Sequence, residues 1–176
     1  DSNKRAGKNN RISNCIFESC NPKNLDRRYM WVRLYGLENR VDHNLFANQR
    51  HSGVTVQVRM EQSDARHRID HNHFIDRVEG NGNGFEIIQI GQSADSLKQG
   101  NCLIDSNLFE RCDGETEIIS NKTCSNIYRA NLFIESAGTL TLRHGDNCIV
   151  EGNVFIGKGK ESSGGIRVIG SGHKIR

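Results

Sequence analysis

Apolar residues recur along the chain in short, evenly registered clusters rather than in long runs. Six segments end in Phe and align without gaps: RISNCIF (11–17), RVDHNLF (40–46), RIDHNHF (68–74), LIDSNLF (103–109), IYRANLF (127–133) and IVEGNVF (149–155). Five residues before each Phe stands Ile12, Val41, Ile69, Ile104, Tyr128 or Val150. Two residues before it stands Asn in every copy but the first: Asn44, Asn72, Asn107, Asn131 and Asn153. After each Phe comes a turn-rich stretch and a second β-type run: MWVRLYG, GVTVQVR, FEIIQIG, TEIISNK, TLTLRHG and GGIRVIG. The tail HKIR opens a further copy at Ile175.

The Phe-to-Phe spacings are 29, 28, 35, 24 and 22 residues. A fixed register with variable spacing means one supersecondary unit per repeat, joined by loops of changing length. Alternation and β-branched residues dominate, and amphipathic helical runs are missing. Stacked rungs of parallel strands fit this pattern, with like residues about 4.8 Å apart. An Asn at a repeated position can then bond the rungs above and below through its amide. The predicted fold is all-β, a right-handed parallel β-helix of about six rungs, forming one domain over 1–176. The pattern starts and stops in mid-repeat without a polar capping element, which predicts a segment of a longer β-helix with exposed sheet edges. Such ends leave end-to-end self-association into a homo-oligomer open.

Composition narrows the picture further. The 176 residues are 35% hydrophobic and 26% charged, with 18 Gly and one Pro. Mean hydropathy is −0.64. No apolar run of about 18 residues is present, so no membrane span is predicted, and the first residues, DSNKRAGKNN, contain no secretion h-region. A net charge of +3 permits a polyanionic partner without calling for nucleic acid. The six Cys form no CxxC pair and read as small core or turn residues. His43 and His71 share a register, as do Asp42, Asp70 and Asp105. Stacked solvated side chains explain them more simply than a zinc site. The GNGNG run (80–84) precedes no helix and reads as a turn rather than a phosphate loop.

The second β-type runs carry the chemistry. In TLTLRHG, alternation turns Leu140 and Leu142 inward and Thr141 and Arg143 outward; in GGIRVIG, Ile166 and Val168 go in and Arg167 out. Glu115 and Glu117 share a face, and Lys122 ends the same run. Stacking then gathers Asn83, the two glutamates, Lys122, Arg143 and Arg167 on one outer wall. A solvated surface needs mixed charge in any case, but two carboxylates on one face repel unless a cation sits between them. A hard divalent ion, Ca²⁺, bound by Asn83, Glu115 and Glu117 would resolve that repulsion.

On the segments NGFEIIQIG (83–91), ETEIISNKT (115–123), GTLTLRHG (138–145) and GGIRVIGSGH (164–173), the chain resembles polysaccharide lyase family 6, the alginate lyases and chondroitinase B. WVRLYGLENRVDHNLF (31–46) is similar to the rung that precedes the site in that family. The resemblance implies a calcium-assisted lyase acting on anionic polysaccharides, alginate or alternatively dermatan sulfate. It implies that Asn83, Glu115 and Glu117 are calcium ligands, Lys122 the general base and Arg143 the general acid. Arg167 and His144 are implied as substrate-binding residues. It also implies a secreted or periplasmic location. Where the family reads Asn-Lys-Ser, this chain reads Asn-Lys-Thr at 121–123. A non-catalytic glycan-binding β-solenoid is the reading from a different class, and such binders present aromatic platforms; this chain has one Trp and three Tyr.

The chemistry has its own logic. β-Elimination removes the C5 proton of a uronate, and charge neutralisation at its carboxylate stabilises the enolate that develops. Lys122 has to be neutral to take that proton, and a bound cation and Arg143 nearby each disfavour a second positive charge. The leaving O4 then needs a proton, from Arg143 or from a water it orients.

Overall fold

The computed structural model describes residues 7–176, and these form a parallel β-helix. The first rung contains β1 (Arg11–Ser13), β2 (Ile16–Glu18) and β3 (Val32–Leu34), and the second β4 (Arg40–Asp42), β5 (Leu45–Ala47) and β6 (Val56–Val58). The third contains β7 (Arg68–Asp70), β8 (His73–Arg77) and β9 (Ile88–Ile90), and the fourth β10 (Leu103–Asp105), β11 (Leu108–Cys112) and β12 (Glu117–Lys122). The fifth contains β13 (Ile127–Arg129), β14 (Leu132–Ile134) and β15 (Gly138–His144), and the sixth β16 (Ile149–Glu151), β17 (Val154–Ile156) and β18 (Ser163–Val168). Strand β19 (Lys174–Ile175) opens a seventh. First, second and third strands stack into three parallel sheets of seven, six and six strands. Helix among the described residues is one short turn, Ser93–Asp95.

Each Phe-ended segment is two strands rather than one. The chain bends before the repeated Asn, where Asn14, His43, His71, Ser106 and Ala130 take left-handed φ of 51° to 57°. That conformation is costly for a side chain with a Cβ, and the Asn ladder offsets the cost. Nδ2 of Asn44, Asn72, Asn107 and Asn131 each donates to Oδ1 of the Asn in the next rung, at 2.9–3.0 Å. The same Nδ2 groups reach back to carbonyls of the preceding rung, as Asn107 does to Ile69 O at 2.9 Å. Every bend thus has its polar groups satisfied inside the coil.

The phenylalanines stack along the axis as predicted. Ring centroids from Phe17 through Phe46, Phe74, Phe109 and Phe133 to Phe155 lie 4.6–5.1 Å apart, near the rung spacing. Valine, isoleucine and leucine columns fill the rest of the interior, and Tyr128 is buried with its hydroxyl donating to Asn121 Oδ1 at 2.7 Å. The end rungs differ: Val168, expected inside, is 47% exposed because no further strand covers it. All six cysteines are free, and His43 and His71 stack with centroids 5.0 Å apart, each bonded through Nδ1 to its neighbouring Asp. Among the described residues no helix is long and apolar enough to cross a membrane.

Candidate active site

The site lies on the outer side of the sheet made by β3, β6, β9, β12, β15 and β18. Register places Gln57, Gln89, Ser120, Thr141 and Arg167 in one outward column across the rungs. Gln57, Gln89, Ser120 and Thr141 are buried although they face out. β12 is irregular against its neighbour β15, with register shifts after Glu117 and before Lys122. Bulges of this kind re-aim side chains at functional edges.

Beside this column the wall opens into a groove of about 970 Å³, lined by Asn83, Glu115, Glu117, Arg143, Lys160 and Arg167 among others. Glu115 pins the turn that forms one lip: its Oε2 accepts the backbone N–H groups of Gly84 at 2.7 Å and Phe85 at 2.9 Å. Gly84 has φ of 105°, a conformation that glycine adopts without strain. Gly138, at φ 109°, permits a second close approach; a Cβ there would stand 2.7 Å from Glu115 O. Behind the turn, the buried Arg77 donates to the carbonyls of Gln49, His51, Gly53 and Phe85. Its guanidinium lies 4.7 Å from the centroid of the Phe85 ring. Burial pushes its pKa down to about 10, and it holds the turn from below.

Glu117 is the electrostatic hub. Arg143 Nη1 donates to Glu117 Oε1 at 2.8 Å, and Arg167 Nη1 approaches the same oxygen to 3.8 Å. That hydrogen bond, reinforced by the charge of Glu117, raises the Arg143 pKa above its ordinary value. Lys122, at the end of β12, has its Nζ 4.0 Å from Glu86 Oε1.

Glu86 is the site residue that the sequence reading missed. Ligand oxygens of Glu86, Glu115 and Glu117 all lie within 4.8 Å of one another. Burial, and next the charge of Glu115, raise the pKa of Glu86. The available signal was a lone carboxylate inside the otherwise apolar run FEII, three residues after Asn83. Asn83 itself is exposed on the lip, and its side chain makes no hydrogen bond among the described residues. His144 is partly buried, in register with Lys122, and lies outside the groove lining. The predicted residues are therefore brought to one wall, with Lys122 and His144 both outside the lining of the groove. The donor set around the carboxylates is all oxygen, which fits a hard divalent cation and not a soft one.

This architecture, a parallel β-helix with a charged groove on one wall, defines the class to which comparisons with known proteins also lead. The family model of chondroitinase B matches residues 1–176. A mannuronic acid specific family 6 polysaccharide lyase from human gut microbiota superposes with a TM-score of 0.89 at 43% identity, over 93% of this chain and 38% of its own. The family 6 alginate lyase AlyGC does so with a TM-score of 0.91 at 44% identity, over 94% of this chain and 23% of its own. The alginate lyase AlyF-OU02, solved in complex with G6, gives a TM-score of 0.92 at 30% identity, over 95% and 38%. No curated protein sequence matches the chain. The chain belongs to polysaccharide lyase family 6. It spans less than two fifths of the length of the solved lyases it matches.

Proposed function

We propose that this chain carries the catalytic wall of a lyase that cleaves the 1→4 bond beside a uronate in alginate by β-elimination. The observation that supports this best is the convergence on one wall of Arg143 and Arg167 at Glu117 and of Lys122 at Glu86, with the carboxylates of Glu86, Glu115 and Glu117 clustered between them. Arg167 and Arg143, both half exposed and both turned toward Glu117, receive the uronate carboxylate and fix the sugar in the groove. Lys122 takes the C5 proton, the C4–O4 bond breaks, and a C4=C5 double bond forms in the product. The Arg143–Glu117 bond favours the charged guanidinium, so Arg143 keeps its proton and orients the water that protonates O4. A Ca²⁺ held by Asn83, Glu115 and Glu117 would supply positive charge to the uronate carboxylate as enolate character develops.

Alginate is placed first because relatives at 43–44% identity are a mannuronic acid specific lyase and an alginate lyase. Dermatan sulfate is the second substrate, favoured by the chondroitinase B family match. A secreted or periplasmic location is what the family resemblance implies for such an enzyme. The test is ultraviolet absorbance of the unsaturated uronate product, on alginate and on dermatan sulfate, with Ca²⁺ and with a chelator. Wild-type activity on alginate that vanishes in Lys122→Ala is the expected result. Activity on dermatan sulfate alone would move the assignment to the second substrate. Full activity in Lys122→Ala would overturn the role of the lysine.

A further inference from the structure

Among the described residues, two apolar columns of the interior are each interrupted once, and both interruptions meet behind the end of β12, which carries Lys122. In the third sheet, register aligns Leu34, Val58, Ile90, Leu142 and Val168, and Asn121 takes that place in β12. In the first sheet, the column Ile12, Val41, Ile69, Ile104 and Val150 is broken by Tyr128 in β13. Both side chains are buried, and they bond to each other: Tyr128 Oη donates to Asn121 Oδ1 at 2.7 Å. Asn126 Nδ2 donates to the same oxygen, also at 2.7 Å. With its oxygen held by two donors, the Asn121 amide turns its nitrogen the other way. Nδ2 donates to the carbonyls of Thr123 at 2.9 Å and His144 at 2.8 Å. A buried polar pair that apolar residues of similar shape could replace adds little net stability, and the remaining rungs use leucine, isoleucine or valine at these places. What the pair does for the molecule is seen in what it holds.

It holds the spot where Lys122 and Arg143 leave the wall. β15 has one residue more than β12 there: Asn121 and Lys122 pair with Leu142 and His144, so Arg143 is the extra residue of a bulge. Such a residue drops out of the ladder, and its side chain is re-aimed. The Asn121 amide bonds the carbonyl one residue past Lys122 and the carbonyl one residue past Arg143, and so ties the two turns together from inside the coil. The turns also touch directly: at Gly145, φ 84°, a Cβ would stand 2.3 Å from Thr123 O. We propose that Asn121, oriented by Tyr128, is a positioning residue that fixes Lys122 against Arg143 across this bulge. The proposal rests on the roles given above to Lys122 and Arg143 and names what sets their separation. Removal of the C5 proton and protonation of the leaving O4 act on neighbouring carbons of one sugar ring. A base displaced by about 1 Å relative to the arginine leaves one of the two steps misaligned, a loss on the order of 10²-fold.

The test is steady-state kinetics of the full chain on the polymer that wild type cleaves, beside thermal melts, for wild type, Tyr128→Phe, Asn121→Ala and Asn44→Ala. Asn44→Ala strands buried partners in the second rung, away from the site, and is the control for lost stability alone. Tyr128→Phe removes the hydroxyl and keeps the ring. With rates taken well below each melting midpoint, it is expected to lower kcat about fivefold or more and Asn121→Ala about 10²-fold, each with KM within about twofold of wild type. Asn44→Ala is expected to melt lower with kcat unchanged. Wild-type kcat in folded Tyr128→Phe and Asn121→Ala, with Lys122→Ala inactive, would overturn the inference and leave the lyase reading standing. A kcat that falls as far in Asn44→Ala as in Asn121→Ala would overturn it too, since lost stability would account for both. Wild type without activity on alginate or dermatan sulfate would overturn the lyase reading and this inference with it. Should Asn121→Ala not fold, Tyr128→Phe decides: a loss of kcat with KM kept supports the pair, and wild-type kcat overturns it.

Discussion

Arg143 illustrates how one side chain sets what its neighbour can do. Its bond to Glu117 at 2.8 Å is the chief reason its pKa stands above the usual value. A guanidinium held charged is a poor proton donor, yet its planar fork can hold a carboxylate and a water together, which an ammonium cannot do as well. Arg143→Lys is therefore expected to lower kcat by about 10²–10³ while KM for alginate changes far less, in steady-state kinetics. A fall in kcat/KM that came wholly from KM would show that Arg143 only binds. His67 makes a second residue-scale case. It is buried, its Nδ1 accepts the Asn39 N–H at 3.1 Å, its Nε2 has no partner, and burial pushes its pKa from the usual 6.5 down to about 4. The unfolded chain takes up a proton near pH 6.5 and the folded one only near pH 4. This site therefore removes stability as pH falls through that window, by up to about 3 kcal/mol, and adds nothing further below it. In His67→Gln, urea unfolding across the window is expected to show a flatter stability curve than wild type. Parallel curves would refute the assignment.

At the scale of the element, the unit that matters is the column rather than the strand. Each strand of the first two sheets is short, and its like residues pair with themselves in neighbouring rungs. In the middle of the ladder, Asn107 donates to Ile69 O and Asn131 Oδ1 and accepts from both nitrogens of Asn72. Asn107→Ala strands these partners in a dry interior, with an expected cost of about 2–4 kcal/mol in urea unfolding. Asn107→Asp is expected to cost more, since a carboxylate cannot donate and its charge would be buried. Equal stability of the two variants would mean that the ladder acts by shape alone. These columns were legible in the sequence because self-pairing demands the same residue in every rung. The bend beside them was not. The inward Val41 and Phe46, like Ile69 and Phe74, are an odd five residues apart, and the left-handed φ of His43 and His71 before each Asn is what turns both onto the core.

Across the whole molecule, the candidate site is assembled by stacking, from the third rung to the sixth. Arg143 and Arg167 were legible because alternation fixes which face of a strand they occupy. Lys122, five residues after Glu117, was legible only through the family resemblance, since alternation alone would set the two on opposite faces and the register shifts of β12 intervene. Glu86 was not legible, because Glu86, Ile87 and Ile88 are all buried, so alternation does not tell inside from outside there. The same assembly predicts how the ion acts on stability. Solenoid rungs contact mainly their neighbours, so stabilisation stays local. The proposed ligands sit on two adjoining rungs, Asn83 before β9, Glu115 just before β12 and Glu117 at its start. Saturating calcium at about a hundred times its Kd contributes about 2.7 kcal/mol, which for a chain of this size raises Tm by about 5–10 °C. The gain belongs where two rungs are tied together. Chelation is therefore expected to speed hydrogen exchange in the 79–91 and 113–122 stretches and to leave the ladder at 40–47 unchanged. Protection lost evenly along the coil would mean that the ion stabilises the solenoid as one cooperative unit, and the nearest-neighbour account would fail.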